Sequence, residues 1–283
     1  MMTNEERRVA RRVYAKQVAH AARTDDPRLE AALADLPRER FLPPGPWHLA
    51  QGPGGYRPTP DADPIHLYQD CPVALKPECR LNTGQPSFLV SLIARAEVAE
   101  GNSIVHVGCG TGYYTAILSR LAGAAGRVLA IEHDADLAAH AAAALSGMGN
   151  VRVAAGDGTA MPLPCADVIL VNAGASRPAE PWLDALKPRG RLILPLTVPR
   201  DDGPITDGII LLITRRGERY AARAISGTRI YPCAGARDAA SDAALAAAFA
   251  RGGAERVTTL RRDGDAPEAA CWLRGPGWSL TCE

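Results

Sequence analysis

Three glycines at alternate positions, Gly108, Gly110 and Gly112, directly follow the apolar run Ile104-Val105-His106-Val107. Glycine populates φ > 0 freely and leaves bare main chain for a ligand to lie against, so a strand followed by this loop and then a helix suits a nucleotide-like ligand. Two acidic residues sit where further strands should end. Glu132 lies 24 residues after Gly108 and closes the run Arg127–Ile131; a carboxylate there can accept from both hydroxyls of a ribose. Asp157 stands between Gly156 and Gly158 after Val151–Ala154, placed to accept from an adenine amino group. The small residues Asn172-Ala173-Gly174 leave space after a fourth apolar run. Read without a ligand, the same residues are a tight β-to-α turn, a surface carboxylate and an Asp-Gly turn. The repetition of ligand-suited chemistry at successive strand ends favours the ligand.

The elements that must carry these groups alternate. Strands are expected at 104–107, 127–131, 151–154, 167–171 and 191–194, with helices at 113–121, 135–145 and 182–185. Continuous apolar strands in a βαβα rhythm predict a parallel sheet covered by helices on both faces. Residues 209–214 and 220–225, joined by Arg215-Arg216-Gly217-Glu218, predict an antiparallel pair at the sheet edge. Helices are expected at 3–23, 28–36 and 87–96 before this core, Pro86 standing at a first-turn position. Gln51–Asp63 reads as an extended surface loop, and residues 65–80 as irregular or strand-like with Leu67, Tyr68, Val73, Ala74 and Leu75 buried. After the core come an alanine-rich helix at 236–250 and short strands around Trp272 and Trp278. The division expected is an N-terminal helical and substrate-cap region (1–100), a ligand-binding core (101–235) and a C-terminal extension (236–283).

Composition narrows the class. The 283 residues are 47% hydrophobic and 22% charged, with a formal net charge of +1, so no global basic field points to nucleic acid. Arg7, Arg8, Arg11, Arg12 and Lys16, interleaved with Glu5 and Glu6, read as the solvated face of a helix. Met1–Tyr14 lacks the apolar core of a secretory signal, and the aliphatic run Ile209–Ile213 is too short to span a bilayer. The seven cysteines form no C-x-x-C pair, which predicts reduced thiols in a cytoplasmic compartment and no metal site. His106, inside the first strand, reads as a core histidine.

The glycine spacing is G-x-G-x-G. A dinucleotide fingerprint G-x-G-x-x-G would need glycine at 113, which is Tyr113. The loop, Glu132, Gly156-Asp157-Gly158 and the Asn172 strand end together resemble the core of class I S-adenosylmethionine-dependent methyltransferases. More narrowly the chain resembles the protein-L-isoaspartate O-methyltransferases. Leu36-Pro37-Arg38-Glu39-Arg40-Phe41 is similar to that family's V-P-R-E-x-F, and Tyr68-Gln69-Asp70-Cys71-Pro72-Val73 to its Y-x-D-x-P-L. Gln85-Pro86 matches its Q-P before the glycine loop, and Gly190–Leu196 resembles its G-G-x-L-V-x-P-V strand. The likeness runs from about Leu29 to Gly235. It implies an α/β, Rossmann-like methyltransferase fold, with S-adenosyl-L-methionine held by Gly108, Cys109, Gly110, Thr111, Gly112, Tyr113, Glu132, His133, Asp157, Gly158 and Asn172. It also implies a peptide, protein or small-molecule carboxylate as methyl acceptor.

One position departs from the family. Its T-I-S-Q-P segment carries a serine at the acceptor site, whereas this chain reads Asn82-Thr83-Gly84-Gln85-Pro86. Gly84 takes the serine's place, and the nearest hydroxyls are Thr83 and Ser87; Thr83 is the candidate, substituting for the serine with a one-residue shift of the loop. Methyl transfer from a sulfonium to a carboxylate needs no general base, since a group with reference pKa of about 4 is already an anion at neutral pH. The protein must hold oxygen, carbon and sulfur in line about 3 Å apart, an orientation effect worth up to roughly 7–11 kcal/mol. An amine or phenol acceptor would instead need a base, for which His66, His106 and Tyr68 are candidates. Three alternatives stay open: a methyltransferase of this fold with another acceptor, a non-catalytic S-adenosylmethionine-binding module, and a nicotinamide-dependent oxidoreductase.

Overall fold

A computed structural model describes residues 2–52, 55–201 and 203–283. In chain order the elements are α1 (Asn4–Ala21), α2 (Pro27–Asp35), β1 (His48–Ala50), β2 (Tyr56–Pro58), β3 (Ala74–Lys76), β4 (Leu81–Asn82), α3 (Pro86–Ala96) and β5 (Ser103–Val107). There follow α4 (Tyr113–Ala122), β6 (Arg127–Glu132), α5 (Ala135–Leu145), β7 (Val151–Ala155), β8 (Ala166–Val171), α6 (Glu180–Ala185), β9 (Leu186–Arg200) and β10 (Gly203–Arg216). The chain closes with β11 (Arg219–Ile230), α7 (Ala239–Arg251), β12 (Thr259–Arg261), β13 (Cys271–Gly275) and β14 (Trp278–Thr281). No helix among the described residues is long and apolar enough to cross a membrane.

Two compact units are built from these elements: Met1–Gly101 with Cys109–Ala155, and Asn102–Gly108 with Gly156–Glu283. In the first, local chemistry sets the helix starts. Thr3 and Glu6 form a reciprocal capping box on α1, and Asp26 caps α2 ahead of Pro27. Helix α1 packs on α2 and α3, and α2 on α4, with Tyr14, Leu29, Leu33, Leu92, Ile93, Ile117 and Leu118 buried on these helices and Phe41 buried on the turn after α2. The parallel pair β6–β7 packs against α5. Arg8, Arg12 and Lys16 are exposed, as expected of a solvated helix face, whereas Arg7 and Arg11 are half-buried and Arg11 donates from Nε to Ala34 O at 3.0 Å.

In the second unit eight strands run in the order β13-β14-β12-β11-β10-β9-β8-β5. β5, β8 and β9 are parallel, and from β9 outward every pairing is antiparallel. The parallel core and antiparallel edge thus follow the Rossmann-like pattern expected, but the edge is much larger than its sequence signals suggest. β9, β10 and β11 run 15, 14 and 12 residues, because polar residues outside the apolar centres still pair their backbones. His106 is fully buried on β5, and burial pushes its pKa down to about 4, as befits a neutral core imidazole. In the C-terminal extension Trp272 donates its indole N–H to Gly252 O (2.8 Å) and meets the Phe249 ring at a tilt of 56°, docking β13 on α7.

The expected loop at Gln51–Asp63 contains a strand instead. β2 pairs antiparallel with β1, giving a hairpin; positions 53 and 54 of that stretch lie outside the described residues. β3 and β4 form a second short hairpin.

Candidate functional site

Strand β5 delivers the chain to the glycine loop, whose three glycines all adopt the left-handed region: Gly108 at φ +74°, Gly110 at +56° and Gly112 at +96°. An L side chain there costs roughly 1–2 kcal/mol before any clash is counted. A Cβ on Gly112 would also meet Leu145 Cδ1 at 2.8 Å, so that glycine lets α4 start against α5. A Cβ on Gly110 would meet only Leu75 Cδ1, at 3.7 Å; that backbone is open to a ligand.

Within the first unit, Glu132 at the tip of β6 is fastened to this loop. Its Oε2 accepts from Gly110 N–H at 2.7 Å, and its Oε1 accepts from Asp134 N–H at 3.1 Å. Each carboxylate oxygen has lone pairs left over, which suit ribose hydroxyls. Asp134 in turn caps α5 and pairs with Lys76 of β3, whose ammonium holds the Asp134 carboxyl below the usual range. Cys109 and Thr111 are buried, Tyr113 is buried at the head of α4, and His133 is exposed. Burial, then the nearby Glu132 carboxylate, raises the Cys109 thiol well above its ordinary pKa, so at neutral pH it is a packing group rather than a nucleophile.

Within the second unit, a Cβ on Gly108 would come 3.2 Å from Asn172 O, and Asn172 N–H donates to Val107 O. Asp157 is held by its own turn: Oδ1 accepts from Thr159 N–H and from Thr159 Oγ1–H, both at 2.8 Å. Gly158 is buried, and its carbonyl accepts from the Trp182 indole N–H at 2.9 Å. Gly235 lies against Asp157 so closely that an added Cβ would overlap both carboxylate oxygens and Thr159 Oγ1. Nothing local signalled that contact, since Gly235 is 78 positions from Asp157 in the sequence.

The segment 82–86 also lies in the first unit. Thr83 accepts from Val73 N–H at 3.0 Å through Oγ1, and the same hydroxyl donates to Gly84 O at 3.3 Å. Its proton and one lone pair are thus engaged by main chain. Gly84 has φ +75°, and a Cβ there would meet Leu89 Cδ2 at 2.7 Å. Among the described residues no group of three or more His, Cys, Asp or Glu side chains could hold a metal ion.

The family model for protein-L-isoaspartate(D-aspartate) O-methyltransferase matches residues 56–205. The chain belongs to this family. Among curated relatives it is 33% identical to the protein-L-isoaspartate O-methyltransferase of Methanoregula boonei over 214 residues, spanning 74% of this chain and 86% of the relative. The counterpart from Rhodopseudomonas palustris is 32% identical over 228 residues, 78% of this chain and 91% of the relative. Two solved structures share the fold. One protein-L-isoaspartate O-methyltransferase superposes with TM-score 0.65 at 23% identity, covering 80% of this chain and 66% of that one. A Plasmodium falciparum beta-aspartate methyltransferase in complex with S-adenosyl-L-homocysteine superposes with TM-score 0.60 at 16% identity, covering 79% and 97%.

As a member of the isoaspartate methyltransferase family, the chain is a Rossmann-like, S-adenosylmethionine-dependent type of methyltransferase. Residues 206–283 lie outside the family match. The family-like motifs have structural counterparts in the first unit. Glu39 accepts from Tyr68 O–H at 2.6 Å; burial first, and then this bond, raises the Tyr68 phenol and removes it as a base near neutral pH. Asp70 accepts from Ser87 N–H (2.7 Å), Ser87 Oγ–H (2.6 Å) and Gln85 Nε2–H (2.9 Å), and so caps α3 from a distance. Asp70 belongs to the Y-x-D-x-P-L likeness and Ser87 carries a hydroxyl close to Gly84, but their contact has no signal in the sequence, because a cap supplied 17 residues upstream leaves no local spacing.

Proposed function

We propose that this chain transfers the methyl group of S-adenosyl-L-methionine to a carboxylate on a peptide or protein, of isoaspartyl or aspartyl type. The observation that carries the reading is the Gly110–Glu132 bond: the loop that gives a ligand bare backbone is joined to an acid suited to ribose, in a chain of this family. The residues fit the cofactor. The left-handed glycines leave room beside the main chain, and Glu132 retains acceptor capacity. In the first unit, Cys109, Gly110, Thr111, Gly112, Tyr113, Glu132 and His133 are the residues this reading assigns to the cofactor; Gly108, Asp157, Gly158 and Asn172 are assigned to it by the family resemblance. When bound, S-adenosyl-L-methionine supplies a methyl group on a sulfonium, with positive charge lost as it departs. The chain's own work is binding and orientation, since a carboxylate arrives already ionised. Thr83 acts on the acceptor side by holding the segment's shape, its hydroxyl being spent on Val73 and Gly84. The seven cysteines, all free thiols, support a cytoplasmic setting.

One observation favours a second reading, a methyltransferase of this fold with another acceptor. Gly84 stands in the family serine's place with left-handed backbone and Leu89 packed against it, so the acceptor end is built differently. Two measurements decide. Titration calorimetry should detect both S-adenosyl-L-methionine and S-adenosyl-L-homocysteine; no binding of either defeats both readings. Labelled methyl should then appear on peptides containing isoaspartate or aspartate and be released by base, as an ester is. Base-stable label would move the acceptor to nitrogen or a phenol.

A further inference from the structure

The first unit buries an arginine that the proposed chemistry does not use. Arg38 is 2% exposed, although an ionised side chain is rarely buried so completely unless well paired. It donates to three alternate main-chain carbonyls, Leu67 O (2.5 Å), Gln69 O (3.0 Å) and Cys71 O (3.2 Å). Its guanidinium also lies 5.5 Å from the Tyr14 ring centre and 5.8 Å from that of Tyr113. Only a planar fork with several donors can serve three carbonyls and two ring faces at once.

Each end of this arrangement leads to the reaction. Tyr113 is the first residue of α4, directly after Gly112 of the glycine loop. On the other side, the carbonyls that Arg38 grips flank Asp70, whose carboxylate fixes Gln85 and Ser87 at the start of α3. Gln85 itself makes no side-chain cap on that helix, so Asp70 takes over that task. Gly84, next in the chain, is where the family places its acceptor-side serine, and Tyr114 O–H donates to Gly84 O at 3.5 Å.

We propose that Arg38 is a positioning residue that ties the head of the glycine-loop helix to the acceptor segment through the 67–71 turn and Asp70. The inference rests on the methyl-transfer reading for its consequence and on the first unit's geometry for its substance. A displacement of about 1 Å at a reacting centre is worth about 10²-fold in rate, so a loosened tie lowers kcat rather than cofactor affinity.

The test is Arg38→Lys in the full chain, followed by amide hydrogen exchange without substrate. A lysine keeps the charge but lacks the planar fork that spans the three carbonyls and lies over the two rings. Exchange at Ser87 and Leu89 should quicken about tenfold, while amides of the β6–β7 pair keep their protection. Unchanged exchange at the start of α3, or a uniform rise through the unit, overturns the proposal. On any acceptor that the wild type methylates, kcat should fall about 10²-fold with the S-adenosyl-L-homocysteine Kd held within about threefold, and Asp70→Asn should add little to the loss. Additive losses, or a change confined to cofactor Kd, overturn it too. If Arg38→Lys does not fold, wild-type exchange in rising denaturant serves instead. The amides of Cys71, Ser87 and Leu89 should then open with one shared free energy, and separate openings overturn the tie. A wild type that methylates no acceptor defeats the proposed function alone, since the exchange results still judge Arg38.

Discussion

Glu132 and Asp157 are both acids at the ends of parallel strands, yet they are held in opposite ways. Glu132, in the first unit, spends its oxygens on the main chain of the glycine loop and of the turn into α5. Asp157, in the second, is fixed by Thr159 two residues on and by the close approach of Gly235 from far along the chain. The first acid is part of the loop it serves. The second is a side chain set by its own turn and walled in by a distant segment. Similar chemistry at two strand ends therefore predicts different sensitivity to substitution.

The largest effect should come from Glu132→Ala. It strips Gly110 and Asp134 N–H groups of their acceptor, at roughly 1–3 kcal/mol per unsatisfied group when water is kept out. We expect S-adenosyl-L-homocysteine affinity to fall about 100-fold by calorimetry, and thermal unfolding to show a loss of about 2 kcal/mol. An Asp157→Ala variant that loses as much stability would erase the contrast between the two acids.

Next in size is a pH effect confined to the second unit. His106 on β5 titrates at about 4 when folded against 6.5 as a free side chain. Between those values the unfolded chain binds the extra proton, so stability is complete above about pH 6.5 and falls as pH drops toward 4. The loss between pH 7.5 and pH 5 is roughly 2 kcal/mol, seen as a lower denaturant midpoint. His106→Leu should flatten that slope. If the variant keeps the wild-type slope, the pH dependence belongs to other groups.

The smallest of the three is Gly235→Ala. Its Cβ would overlap Asp157 and Thr159 Oγ1, and the segment has little freedom to retreat: Gly174 and Tyr231, Cys233 and Gly174, and Ser176 and Ala236 are joined by backbone bonds of 2.8–2.9 Å. Asp157 must then turn aside, and cofactor affinity should drop about tenfold, near 1.4 kcal/mol. Unaltered affinity would mean that Asp157 does not touch the cofactor, leaving Glu132 as the acid that matters.

Much of this was legible in the residues. The strand–loop–helix at 104–121, the acid ending β6 and the alternation after it follow from glycine placement and hydrophobic periodicity, which act over a few residues. α5 begins and ends where its pattern predicts because Asp134 supplies a local cap. The β1–β2 hairpin escaped notice because its strands are three residues long and proline-rich in their surroundings. The antiparallel strands were underestimated because exposed polar residues pair as well as apolar ones once a neighbour is present. The Thr83 hydroxyl is visible in the sequence, but its partner is Val73, ten positions away.

By itself, then, the sequence determined the fold class, the glycine loop and the acids that end β6 and β7, since each depends on backbone preferences and periodicities that act within a few residues. Tertiary structure decided what those groups touch. Glu132 reaching Gly110, Gly235 closing on Asp157, Asp70 capping α3 and Arg38 gripping three carbonyls all join residues from 15 to 78 positions apart. Such contacts form only when packing brings distant backbone together, and no local pattern records them.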